Sequence, residues 1–130
     1  MSKEKRNFSL SDRVQSIQHA LSGIRDILRT EHNARIHGVM TLLVLILCAW
    51  LQIDFVKFCL IILAIVSVWV AEAFNTVFEI LTDHVSPDYS PTAKRAKDIA
   101  AAAVLMTCLG AAALGIILLA PPLLIRLGIV

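Results

Sequence analysis

The chain has 130 residues, 58% of them hydrophobic and 17% charged, with a formal net charge of +2 and a mean hydropathy of +0.77. Soluble domains are about 45–50% apolar and about 25% charged, so this composition is displaced towards a lipid solvent. It argues against a soluble enzyme, a nucleic-acid reader and a disordered tail, and so small a net charge gives no field to draw in a polyanion.

Residues 1–8 read as a flexible start to a single domain over 1–130. An amphipathic surface helix is predicted over 9–34. Val14, Ile17, Leu21, Ile24 and Leu28 share one face, and Arg13, Gln15, Gln18, Ser22, Arg25, Asp26 and Arg29 lie opposite. Ser9, with Asp12 three residues on, is a start signal. Such a helix beside a membrane span lies in the water–lipid interface; a soluble partner-binding helix is the plainer reading.

Three transmembrane helices are predicted, over 36–53, 58–81 and 99–120. With His37 neutral, Ile36–Ile53 is uncharged for 18 residues. Phe58–Ala71 is uncharged for 14 residues before Glu72 and Glu79 enter, and Ile99–Ile125 for 27. None resembles a cleavable signal peptide, because the first apolar run starts after a long polar and amphipathic stretch. The fold class expected is an all-α integral membrane protein.

Between the second and third spans, residues 82–98 form a turn-rich loop and a helix start. Pro91 suits the first helical position after a Ser90 cap. Lys94, Arg95, Lys97 and Asp98 precede the apolar run. Ala100, Ala103, Thr107 and Gly110 form a small-residue seam suited to close helix packing. Ten of the twelve lysines and arginines precede the first span or lie in this loop, leaving Lys57 and Arg126 opposite. The positive-inside rule makes the N-terminus and the 82–98 loop cytoplasmic.

The candidate chemistry lies in the second span. Glu72, Asn75, Glu79 and Asp83 are spaced by three, four and four residues, so they project from one side of a helix. A charged acid at mid-bilayer costs roughly 2.5–3.5 kcal/mol on insertion scales, so such residues tend to be paired and functional. Three readings compete: a polar seam holding helices together, an ion or proton path, and a metal-dependent site. Carboxylates are hard ligands suited to Mg2+, and Glu31 supplies another at the same membrane face. The five glycines form neither a dinucleotide fingerprint nor a P-loop. His19, His32, His37 and His84 have no zinc-like spacing and read as ordinary side chains. Cys48, Cys59 and Cys108 read as packing residues, and Trp50 and Trp69 as interfacial or packing aromatics.

From about Arg13 to the third span, the chain resembles the small prokaryotic diacylglycerol kinases and their undecaprenol kinase relatives. Glu72-Ala73-Phe74-Asn75-Thr76-Val77-Phe78-Glu79, followed by Asp83, matches the family's E-x-x-N-[ST]-x-x-E…D pattern. Ala93-Lys94-Arg95-Ala96-Lys97-Asp98 is similar to its A-K-x-A-K-D segment. Glu31-His32-Asn33-Ala34-Arg35-Ile36-His37 is similar to the E-x-N-x-[KR]-I-H of the undecaprenol kinase branch.

The resemblance implies a homotrimer with active sites at subunit boundaries in the bacterial cytoplasmic membrane. There ATP donates its γ-phosphate to the hydroxyl of undecaprenol or diacylglycerol. It makes Glu72 the general base and Glu31 and Glu79 the Mg2+ ligands. Lys97 and Asp98 become nucleotide contacts, and Asn75 orients the site. Asp88 and Ser90 stand where relatives often carry glutamate and histidine, and His19 where tyrosine is frequent; these are the peripheral candidates for nucleotide contact. The rival from another class is a non-catalytic membrane oligomer or ion-conducting subunit that uses the same acidic stripe.

Overall fold

A computed structural model describes residues 9–129 as four helices in the order α1 Leu10–Thr30, α2 His32–Leu51, α3 Phe55–Val85 and α4 Pro91–Arg126. Helices α2, α3 and α4 are each long and apolar enough to cross a membrane, so the all-helical, three-span expectation holds. The expectation for residues 1–8 lies outside the described residues.

Helix α1 starts as its sequence signal requires, with the Ser9 hydroxyl accepting the Asp12 N–H at 3.4 Å. None of its residues is buried within the single chain, and its apolar stripe from Val14 to Leu28 is exposed. The helix does not continue to residue 34. It stops at Thr30, because Glu31 adopts an extended backbone (φ −90°, ψ 122°). No glycine or proline marks this corner. The Thr30 hydroxyl donates back to the Asp26 carbonyl, and Arg35 Nη2 donates to the Arg29 carbonyl at 3.2 Å. Side chains thereby supply donors to carbonyls in the last turns of α1.

The spans also differ from the apolar runs at their ends. Helix α2 ends at Leu51 because Gln52 turns left-handed (φ 51°) and bonds back to the Ala49 and Cys48 carbonyls. Helix α3 begins at Phe55, ahead of the uncharged run, because Asp54 caps it: its carboxylate accepts the Lys57 N–H at 3.1 Å and pairs with Lys57 Nζ at 3.0 Å. Caps set the helix ends here, whereas hydropathy sets only the part that lipid can cover. Helix α4 begins with the expected Ser90 cap and Pro91. It continues through Pro121 and Pro122, which remove two helix donors. Spanning helices tolerate this through local readjustment.

The Lys57 backbone N–H, and then its ammonium, hold the Asp54 carboxyl below its ordinary range. A lowered folded-state pKa adds stability that is present above the unfolded value and lost as pH falls through the folded one. Thermal stability in micelles is therefore expected to fall on acidification through the carboxylate range. Asp54→Asn, which keeps an acceptor for the cap, should lose part of that dependence. The effect is small because the carboxylate is exposed and screened. An acid response identical to wild type would remove Asp54 from this role.

Helices α3 and α4 pack most extensively. Cys48, Leu51, Ile61 and Leu119 form a buried cluster towards the end of the bundle that holds the α2–α3 turn. At that same end Arg126 lies over the Trp50 ring, 4.9 Å from its centroid. All three cysteines are free thiols, with Cys48 in the core. The small-residue seam is not filled within the chain, since a Cβ on Gly110 meets nothing within 4 Å. Apolar packing thus marks the α2–α3 turn end of the bundle, and the polar residues gather at the other.

Candidate active site

Helix α3 runs for 31 residues, longer than a hydrocarbon layer requires. At about 1.5 Å per residue, Glu72 stands about 26 Å along the axis from Phe55, near the far edge of a layer about 30 Å thick. The polar stripe begins there. Glu72 is 1% exposed, the largest fully enclosed side chain of the protein among the described residues. Asn75 and Thr76 beside it are also buried.

The helix spacing that aligned these residues also lets them bond one another. Asn75 Nδ2 donates to Glu79 Oε1 at 2.9 Å, and the Thr76 hydroxyl donates to the Glu72 carbonyl at 3.0 Å. One turn further on, Asp83 leaves the buried group and pairs with Lys97 of α4. That ion pair ties the polar end of α3 to the start of α4. It puts the ammonium of Lys97 on the membrane face reached by the stripe.

Glu31 joins the group from the corner between α1 and α2. Glu31 stands at the start of α2, whose His37 packs against Glu72, and Glu79 follows Glu72 by two turns on α3. Glu31 Oε1 lies 3.1 Å from the Thr30 hydroxyl and shares its one proton with the Asp26 carbonyl. The break in the helix at this residue brings its side chain to the same membrane face as α3. Like charges held together without cations raise each other's energy.

Other candidates stand further out. Asp98 is exposed and accepts from Lys94 Nζ at 2.6 Å, one turn back on its own helix. The Ser90 hydroxyl is engaged as the cap of α4, and the Asp88 carbonyl accepts from the Ser86 hydroxyl. His19 is exposed on α1. Among the described residues, no hydrogen bond or ion pair links His19, Asp88 or Ser90 to Glu72, Asn75 or Glu79.

One residue near the centre of the site was read from sequence as ordinary. His37 packs against Glu72, with Nε2 at 3.7 Å from Oε2. Neither atom has a hydrogen-bond partner, and both are buried; Asn75 Oδ1 is in the same condition. The His37 ring meets Trp69 edge-on, with centroids 6.5 Å apart. Trp69 in turn donates to the Thr41 hydroxyl at 3.1 Å. The available signal was a histidine inside the first apolar run, where a polar ring needs a partner. From His37 a cavity of about 590 Å3 runs between α2, α3 and α4 to Leu123, walled almost wholly by apolar side chains.

Buried carboxylate, amide and imidazole atoms without partners, with an apolar cavity running from His37, are the parts of a site that works between lipid and water. Comparison with known proteins identifies the family of the chain. The family model described as prokaryotic diacylglycerol kinase matches residues 18–119. The undecaprenol kinase of Bacillus subtilis is 32% identical over 122 residues, covering 94% of this chain and 98% of that protein. The diacylglycerol kinase of Escherichia coli K12 is 29% identical over 93 residues, covering 72% and 76%. That of Synechocystis is 34% identical over 110 residues, covering 84% of this chain and 63% of the relative. The matched region includes Glu31, the whole acidic stripe of α3 and the Lys97 segment. This multi-pass membrane protein belongs to the prokaryotic diacylglycerol kinase family and is an ATP-dependent lipid kinase.

Proposed function

We propose that the chain transfers the γ-phosphate of ATP to the hydroxyl of a membrane lipid alcohol at the cytoplasmic face of the bacterial inner membrane. Undecaprenol is favoured over diacylglycerol as the acceptor. The observation that carries the reading is Glu72, a fully enclosed carboxylate with an unpartnered oxygen, packed against His37, which lines an apolar cavity. An acceptor hydroxyl must lie within hydrogen-bond reach of its base, and only a site at the hydrocarbon edge offers that reach to a lipid. Glu72 takes the hydroxyl proton while the oxygen attacks the γ-phosphorus. The bond from that phosphorus to its bridging oxygen breaks, and ADP leaves.

Mg2+ fits the donor set. Among the described residues, no three His, Cys, Asp or Glu side chains cluster to hold a metal by themselves. Mg2+ needs only one or two carboxylates when phosphate oxygens and water complete its shell. Glu31 and Glu79 are the two carboxylates that flank Glu72. When bound, the ion would neutralise charge on the phosphates. Lys97, paired with Asp83 in the structure, is the cation proposed for the nucleotide, with Asp98 beside it. Asn75 holds Glu79 in place through its amide. The Ser90 hydroxyl, although it accepts at the helix cap, keeps an O–H to donate; Asp88 and His19 are the outermost contacts proposed.

The lysine and arginine distribution supports a cytoplasmic N-terminus and loop. Assembly as a homotrimer with shared sites follows the family resemblance. The likeness to an undecaprenol kinase over nearly the whole chain supports the prenyl acceptor, as does the Glu31–His37 segment.

The test is transfer of label from γ-labelled ATP to undecaprenol and to diacylglycerol, assayed side by side in mixed micelles with magnesium. Label in undecaprenol with the higher kcat/KM is expected. A higher kcat/KM for diacylglycerol overturns the choice of acceptor. Folded protein that labels neither lipid overturns the reading.

A further inference from the structure

We propose that Trp69 and Thr41 are positioning residues for the transfer reaction: the hydrogen bond between them fixes the register of α2 on α3 and so holds Glu72 in its working place. The inference rests on the lipid-kinase reading of Glu72 given above. Trp69 Nε1 donates to Thr41 Oγ1 at 3.1 Å. Trp69 and Glu72 are three residues apart on α3, and His37 and Thr41 four apart on α2, so each pair shares a helix face. The pairings of 41 with 69 and of 37 with 72 run in opposite chain directions, so the two helices are antiparallel. The contacts are therefore successive rungs of one ladder, a single helical turn apart.

The ladder matters because little else sets α2 against the acid. Helices α3 and α4 pack most extensively, whereas α2 touches both much less. Among the described residues, no other side-chain hydrogen bond joins α2 to α3. Both partners lie within apolar spans, where an indole N–H finds no water and a single protein acceptor holds it firmly. The indole also fixes what lies beside it. Its ring meets the His37 ring edge-on, and a Cβ on Gly38 would stand in ordinary contact with it. Sliding or rotation of α2 that breaks the bond therefore disturbs His37, whose Nε2 is 3.7 Å from Glu72 Oε2. Misplacing a reacting group by about 1 Å can cost about 10²-fold in rate. Thr41 lines the apolar cavity, but Trp69 is not among the described residues that do so. A change confined to the indole thus replaces no lining residue of the cavity.

The experiment compares the full chain as wild type, Trp69→Phe, Thr41→Val, Thr41→Ser and the double variant Trp69→Phe/Thr41→Val. Rates on undecaprenol and, separately, on a diacylglycerol are measured in micelles with magnesium, well below the unfolding temperature. Thr41→Val removes the acceptor at nearly constant shape, and Trp69→Phe removes the donor while keeping an aromatic ring. Each is expected to lower kcat about three- to tenfold, the range of one net hydrogen bond, with KM for Mg-ATP unchanged. In Trp69→Phe the KM for lipid is unchanged as well. The double variant loses no more than either single one, because the same bond is lost in all three. Thr41→Ser keeps the hydroxyl and recovers most of the rate. The indole N–H resonance of Trp69, identified by its absence from Trp69→Phe, should shift in Thr41→Val and return in Thr41→Ser. A purely structural bond predicts lower melting temperatures with kcat per folded molecule intact. That result, losses that add in the double variant, failure of serine to rescue, or a rise in lipid KM in place of the fall in kcat overturns the positioning role. If Trp69→Phe does not fold, Thr41→Val and Thr41→Ser carry the same test. Wild type that labels neither lipid overturns the underlying reading instead, and an unmoved indole resonance overturns the bond itself.

Discussion

Replacing Glu72 with glutamine should reduce phosphoryl transfer by about 10²–10⁴-fold, the usual contribution of a positioned general base, while nucleotide binding survives. The two side chains are nearly the same size, so the enclosed site is not emptied. The amide has no charge and takes no proton at neutral pH. The hydroxyl keeps a neighbour but loses its base. Stability separates this role from a purely structural one. If Glu72 served chiefly as a structural partner for His37, removing its charge would leave a buried polar ring unsatisfied and cost about 1–3 kcal/mol. If the carboxylate is there for catalysis, its burial is a standing cost, and Glu72→Gln should unfold no more easily than wild type. Activity, equilibrium binding of a non-hydrolysable ATP analogue and thermal unfolding are the three measurements. Near-normal turnover would end the assignment of Glu72 as base.

The outline of this protein is legible from its sequence because the bilayer leaves few choices. A backbone in hydrocarbon must satisfy its own polar groups, so long apolar runs become helices. The stripe of Glu72, Asn75 and Glu79 is likewise readable from a spacing of three and four residues. Helix ends are harder to read. The corner at Glu31 has no glycine or proline, and it depends on Thr30 and Arg35 bonding to carbonyls at the end of α1. The pairing of Asp83 with Lys97 and the approach of His37 to Glu72 join different helices. No periodicity within one segment encodes either. His37 looked ordinary because its partner lies 35 positions away on another span. The small-residue seam on α4 signals close packing, yet Gly110 has no neighbour in the chain; composition identifies such a face but not what covers it.

Removing either Glu31 or Glu79 is expected to move the magnesium titration more than the lipid titration. Among the described residues, Glu31 and Glu79 are the two carboxylates proposed for the ion at this membrane face, so neither has a spare. Loss of a mere outer-shell partner lowers metal affinity by about 10–100-fold, and loss of a ligand should reach at least that range. Glu31→Ala and Glu79→Ala should therefore require correspondingly more Mg2+ for half-maximal rate at fixed ATP. Mn2+ bound in the presence of a non-hydrolysable nucleotide, counted by electron paramagnetic resonance, should fall in parallel. Asn75→Ala provides an internal comparison. It removes the donor that holds Glu79 Oε1 without removing a carboxylate, so its shift should have the same direction and a smaller size. The alternative is electrostatic: Glu31 and Glu79 would act on Glu72 only as like charges, and deleting one would simply relieve repulsion around it. Relief of repulsion predicts a folded state that is more stable and a magnesium requirement that is unchanged. A metal site predicts the reverse order of effects, with the magnesium midpoint moving furthest. An unaltered midpoint in both alanine variants would assign Glu31 and Glu79 to that electrostatic role and require other ligands for the ion.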